Sequence, residues 1–175
     1  MNRSVFIALL VCILNAQSSF AQPGRCPKFS EEYVWETPED YENDREQVKK
    51  TLRWLCVTPI GIDIQQRSIA NAYVLEWLAG TPSFTIDIKT DYLSFVGEHP
   101  ELLYTFIHAV GYYKMDHPEE NSELKLYSEG FKVVANLSAQ SKELSKSSLL
   151  KPLLKAARRN AIRDYTKEIL GIEKP

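Results

Sequence analysis

"EHPELLYTFIHAVGYYKMDHPE" (Glu98–Glu119) contains all three histidines of the chain, His99, His108 and His117, and repeats one motif at its two ends. Glu98-His99-Pro100-Glu101 returns as Asp116-His117-Pro118-Glu119. Either the histidines build a metal or acid–base site, or the motifs punctuate helices. Proline costs nothing at the first helical position, because the N–H it lacks has no partner there. The carboxylates beside it are favoured by the positive end of the helix dipole. The motifs therefore read as two helix starts, with helices expected near 100–115 and 118–140. If those helices are antiparallel, their starts lie ~20 Å or more apart at about 1.5 Å per residue. No ion shared by His99 and His117 is expected, and no metal site.

The rest of the chain extends this helical reading. "TPED" (Thr37–Asp40) offers a capping threonine, a proline at the first helical position and an acidic partner for a capping box. Tyr41, Val48, Leu52 and Leu55 recur behind it at helical spacing, which predicts a helix over 38–56 ending before Pro59. A second helix is expected near 66–79. Its apolar residues, Ile69 through Leu78, spread nearly all round, so it is expected to be the central one. Ser83–Ile88 alternates apolar and polar residues, giving a short extended segment with no evident partner strand. "TDYLSFV" (Thr90–Val96) reads as a short helix ending at Gly97. The last stretch, Ser148–Leu170, is helical, with its apolar stripe drifting at Asn160 as at a kink or break. The expected fold is all-α, a compact bundle of five to six helices with short connections.

Within the helix near 100–115, Leu102, Leu103, Phe106, Ile107, Val110 and Tyr113 fill one arc. His108 lies in a separate column with Tyr104 and Tyr112, one turn on either side, and Gly111 beside it leaves room for a close neighbour. Tyr104, His108 and Tyr112 are the candidate ligand-binding residues, a shallow aromatic groove for a sugar, peptide or metabolite. The competing reading is a second packing face. Gly130, inside the arc Leu124–Leu137, reads as a close crossing of two helices. Lys151, Lys155, Arg158, Arg159 and Arg163 form a basic strip, either a solvated face or a surface for an anionic partner or lipid.

Charge is close to balanced over 175 residues but unevenly placed. Residues 31–46 hold eight acidic groups against Arg45, and residues 142–175 hold nine basic against four acidic. The overall balance does not favour a nucleic-acid partner. The first 21 residues have the build of an export signal: Arg3, the apolar run Val5–Ala16, then Ser19 and Ala21 at the cleavage positions. A lipoprotein signal acylated at Cys12 fits less well, because Val11 precedes the cysteine inside the run. No later run is long enough to span a membrane. Residues 22–36, with Pro23, Gly24 and Pro27, are expected as an irregular arm, and 37–175 as one helical domain. Two cysteines remain after cleavage, Cys26 and Cys56. In an exported chain this pair is expected to form a disulfide, contributing ~3–4 kcal/mol in the chain-entropy model.

The nucleophile-elbow, His-Glu-x-x-His, phosphate-loop and Cys-x-x-Cys signatures are all absent from the sequence. Two segments, "VLEWLAGTPSFTIDI" (Val74–Ile88) and "HPELLYTFIHAVGYYKM" (His99–Met115), resemble a group of small exported helical proteins of Gram-negative bacteria. The matching positions are Trp77, Leu78, Gly80 and Pro82, then Pro100 to Leu103, with Gly111 and Tyr113. The group has no assigned activity, so the resemblance implies export and one helical domain but no site. The expected protein is periplasmic or secreted, monomeric, without cofactor, and binds a partner protein or small ligand in the cell envelope. The alternative is a small hydrolase or lyase using His108 with a nearby tyrosine or carboxylate.

Overall fold

The computed structural model describes residues 24–30 and 32–172. Over them the chain is an all-α bundle of six helices: α1 (Pro38–Val57), α2 (Ile64–Gly80), α3 (Glu101–Asp116), α4 (Glu123–Gln140), α5 (Lys151–Arg158) and α6 (Ile162–Ile169). Short 3-10 turns lie at Thr90–Tyr92 and Leu144–Lys146, and no strand occurs among the described residues. No helix among them is long and apolar enough to cross a membrane. The export segment and Cys12 lie outside the described residues.

α1 opens on the expected capping box. Thr37 accepts a hydrogen bond from the Asp40 backbone, and the Asp40 carboxylate accepts one back from Thr37 N–H at 2.8 Å. The Thr37 hydroxyl, and then the Thr37 and Glu36 N–H groups, donate to this carboxylate and hold it below the usual carboxylate range. α3 and α4 cross closely at Gly130, where a Cβ would stand 2.6 Å from Phe106 Cδ2. Phe106 therefore lies flat on the α4 backbone, edge-on to Tyr127 and Phe131 at 5.2 and 5.3 Å. α1 packs on the other side of α3.

The second His-Pro-Glu motif corrects the sequence reading. His99-Pro100 does precede α3, but His117 ends that helix, its N–H bonded to Tyr113 and Lys114 carbonyls. Helical geometry is disfavoured for a residue before proline, and His117 precedes Pro118. α4 begins only at Ser122, whose side chain caps it through Lys125 N–H. Lys114 holds the intervening loop. Although it is 1% exposed, its ammonium donates to the carbonyls of Pro118 and Glu120 and to Asn121 Oδ1, at 2.7, 3.0 and 3.1 Å.

α2 is not central; α4 is, touching α1, α3, α5 and α6. The nearly uniform apolar character of α2 is explained by a cover that is not helical. The arm lays Phe29 flat on Tyr73 at 4.3 Å, with Tyr33 edge-on to the same ring at 5.1 Å. Trp54 Nε1 ties the arm to α1 by donating to Gly24 O at 2.7 Å. The extended segment behaves as a linker. Phe84 is buried, Ile86 and Ile88 are half-buried, and the residues between them are exposed. Its last backbone partner is the Tyr127 hydroxyl, which accepts from Lys89 N–H at 2.7 Å. Of Thr90–Val96 only Thr90–Tyr92 is helical, as a 3-10 turn, in place of the expected helix.

Cys26 and Cys56 are free thiols, which corrects the expected disulfide. Trp54 faces the arm, and residues 54 and 56 project about 200° apart on a helix turning about 100° per residue. Cys26 packs into the α1–α2 core with the arm. Cys56 faces a cleft walled by α3 and α4, where burial pushes its thiol up to about 12.

Candidate functional site

The predicted column does not stay together. Tyr104 is 45% exposed, whereas His108 is 1% exposed and Tyr112 is half-buried. α3 buries two faces, one against α4 and one toward α1 and α2, and His108 belongs to the second. Gly111 serves that second packing too: a Cβ there would lie 2.9 Å from Leu78 Cδ1, so the space beside the column is filled by α2. Neither ring nitrogen of His108 has a hydrogen-bond partner among the described residues. Burial, and then the positive charge of Arg67, lower its pKa to about 3. The imidazole is thus neutral at ordinary pH and presents no edge to solvent. Arg67 itself donates to the Leu55 and Thr58 carbonyls at the end of α1.

Tyr112 lines a cleft of about 390 Å³ between α1, α3 and α4, together with Arg53, Cys56, Asp116 and His117. The charges around it are largely matched. Lys49 pairs with Asp116, while Glu129 accepts from Lys125 and Lys132 at 2.9 Å each. Burial pushes the Glu129 carboxyl up, but the two lysines more than offset this and hold it below the usual range. His99 bonds Ser147 Oγ at 3.1 Å and His117 lies against Tyr113, ring centres 4.4 Å apart, so they occupy opposite ends of α3. Among the described residues no three His, Cys, Asp or Glu side chains gather as a metal site.

A different place has the character of a binding site. Asn160 takes φ 54, in the left-handed region. It ends α5 with a double bond pattern, Ala161 N–H to Ala156 O at 2.9 Å and Asn160 N–H to Ala157 O at 3.0 Å. Asparagine tolerates this backbone better than most residues. The turn lets α5 and α6 both lie on α4 as a V, and the expected break at Asn160 is what makes that shape. α6 is pinned by Ser128 Oγ to Thr166 Oγ1 at 3.1 Å and by Tyr165 edge-on to Phe131 at 5.2 Å. Between the arms and α4 opens a groove of about 640 Å³, within the ~300–1,000 Å³ usual for small-molecule sites.

The groove has an apolar floor and a cationic border. Ala135 and Ala139 come from α4, Leu154 and Ala157 from α5, and Ile162 from α6. Lys132, Lys151, Arg158 and Arg163 line it, with no carboxylate among the lining residues. Lys132 shares Glu129, but Lys151, Arg158 and Arg163 form no ion pair within the described residues. The basic strip read from the sequence is therefore two faces. Lys155 and Arg159 turn to the opposite side, where Asp164 and Glu168 accompany them. Sequence reading missed Lys132 and the alanine floor. The available signal was the small-residue pair Ala135 and Ala139, one turn apart on the same helix as Lys132.

No family model matches the chain, and no curated protein or solved structure is significantly similar to it. The site is read from its own chemistry.

Proposed function

We propose that this chain is an exported, non-enzymatic helical domain of the cell envelope whose task is to bind a small anionic ligand in the groove between α4, α5 and α6. The observation that carries this reading is the unmatched positive lining of a groove floored by alanine, leucine and isoleucine. Lys151, Arg158 and Arg163 are exposed, so leaving them unpaired costs the fold little. What favours a ligand is that they border an apolar groove with no carboxylate among its lining residues. The hydrolase reading through His108 has less support, because that imidazole is sealed and unaccompanied by a carboxylate.

The test is an NMR titration of the protein with 1-anilinonaphthalene-8-sulfonate, an anionic apolar probe. Saturable binding is expected, with amide shifts concentrated at Ala135, Leu154, Ala157 and Ile162. Shifts confined to the Tyr112 cleft or to the arm, or no saturable binding, would move the site elsewhere or remove it.

A further inference from the structure

The groove carries three cations at one end and one at the other, and this uneven distribution points to a ligand class. α4 passes from Lys132 to Ala139 along the floor, ~10 Å at about 1.5 Å per residue. The chain reverses at the Leu144–Lys146 turn, so Ser145 and Lys151 stand by the Ala139 end. α5 then returns toward the Lys132 end, bringing Arg158 and Asn160, and α6 starts there with Arg163. The contacts of α6 with Ser128 and Phe131, upstream of Lys132 on α4, fix this direction.

One end thus gathers Lys132, Arg158 and Arg163, the other holds the single cation Lys151, and the middle is Ala135, Leu154, Ala157 and Ile162. Lys132 is already shared with Glu129 at 2.9 Å, which leaves two guanidinium charges without a partner. The N-terminus of α6 at this end has no side-chain cap. Unbonded N–H groups of a first helical turn attract an anion, and Asp164 in that turn, on the face away from the groove, offsets only part of this. Guanidinium groups recognise phosphate and carboxylate oxygens in pairs, and two of them match a doubly charged head better than a single one.

Building on the groove as ligand site, we infer that its ligand is an organic phosphate monoester with an apolar body. The phosphate sits between Arg158 and Arg163, and the body lies along Ala135, Leu154, Ala157 and Ile162. The same head could be offered by a lipid-like molecule or by free phosphate, and the two are separable by experiment.

Dodecyl phosphate, dodecanoate, inorganic phosphate and dodecyl maltoside are each titrated into the full chain below their micellar concentrations, read by calorimetry and by the same amide shifts. Dodecyl phosphate is expected to bind about tenfold or more tighter than dodecanoate and dodecyl maltoside, given that each extra charge-assisted contact is worth roughly that factor. It should exceed inorganic phosphate by a similar factor, because its chain buries apolar surface. Arg158→Gln with Arg163→Gln should weaken it about tenfold or more on the same basis. Ala139→Trp, at an exposed position, should block the far end of the floor and weaken dodecyl phosphate but not inorganic phosphate. Equal binding of inorganic phosphate, equal binding of dodecanoate, or an undiminished double variant would each overturn the assignment. If the anionic dye shifts the groove while dodecyl phosphate does not bind, the ligand class is wrong and the site stands. If neither shifts it, both readings fall.

Discussion

The two halves of the bundle are closed by side chains of different size. Around α1, α2 and the arm the packing is aromatic: Phe29 on Tyr73, Trp35 beside Tyr41, and Trp77 between Tyr41 and Phe84 at 6.1 and 6.2 Å. Around α4, α5 and α6 the outer floor is alanine, and nothing large reaches over it. Large rings that interdigitate leave no room for a ligand, whereas small side chains between diverging helices leave a groove. Both halves bury an aromatic core, Phe106, Tyr127 and Phe131 in the second, but only the second carries the groove and its exposed cations. Substitutions of the buried rings and of the groove lining should therefore differ in kind, stability lost in one and binding lost in the other.

The largest expected effect is at Trp77. It is fully buried, and its Nε1 donates to Tyr41 O at 3.0 Å. Trp77→Ala should cost about 3–5 kcal/mol, the usual price of deleting a buried aromatic ring, measured by urea unfolding. The groove should bind the anionic probe normally wherever the variant remains folded. A loss below about 1 kcal/mol, far under that range, would mean that the aromatic half does not hold the bundle together.

His108 gives the aromatic half a pH signature between pH 7 and pH 5. The unfolded chain takes up a proton at this residue near the ordinary value, about 6.5, and the folded chain only near about 3. Between these limits the unfolded state binds more protons, so stability falls as pH falls through that window. The slope is at most ~1.4 kcal/mol per pH unit, and it vanishes above about pH 6.5. Unfolding free energies between pH 7 and pH 5 should show this slope in the natural chain and lose most of it in His108→Leu. An unchanged slope in the variant would place the responsible proton elsewhere.

How much of this the sequence disclosed depends on whether the signal was local. The Thr37 capping box and the Asn160 break were legible because backbone chemistry within a few residues decides them. The second His-Pro-Glu motif misled because proline serves equally well just after a helix, and Ser122, the true cap, drew no notice beside it. For His108 the sequence left a binding column and a second packing face both open, and only α2 packed against Gly111 through Leu78 decides for the second. Lys114 could not have been assigned to the interior from its type, since only the loop at 117–121 supplies its acceptors. The groove was illegible because its floor and its cations come from three helices and meet only through packing.

The smallest expected effect sharpens the comparison most. Arg158 and Arg163 are exposed and make no ion pair or side-chain hydrogen bond to another described residue. If they serve only binding, Arg158→Gln with Arg163→Gln should leave stability unchanged or raise it by up to ~0.5 kcal/mol, as relief of like-charge crowding does on a surface. Urea unfolding at low and moderate salt measures this, and any gain should shrink as salt screens the charges. A loss above about 1 kcal/mol, beyond what exposed charges usually contribute, would instead make the pair a structural tie between α5 and α6. An unpaired cation that can be removed without cost to the fold, in a groove that then loses its anion, has been kept for the anion.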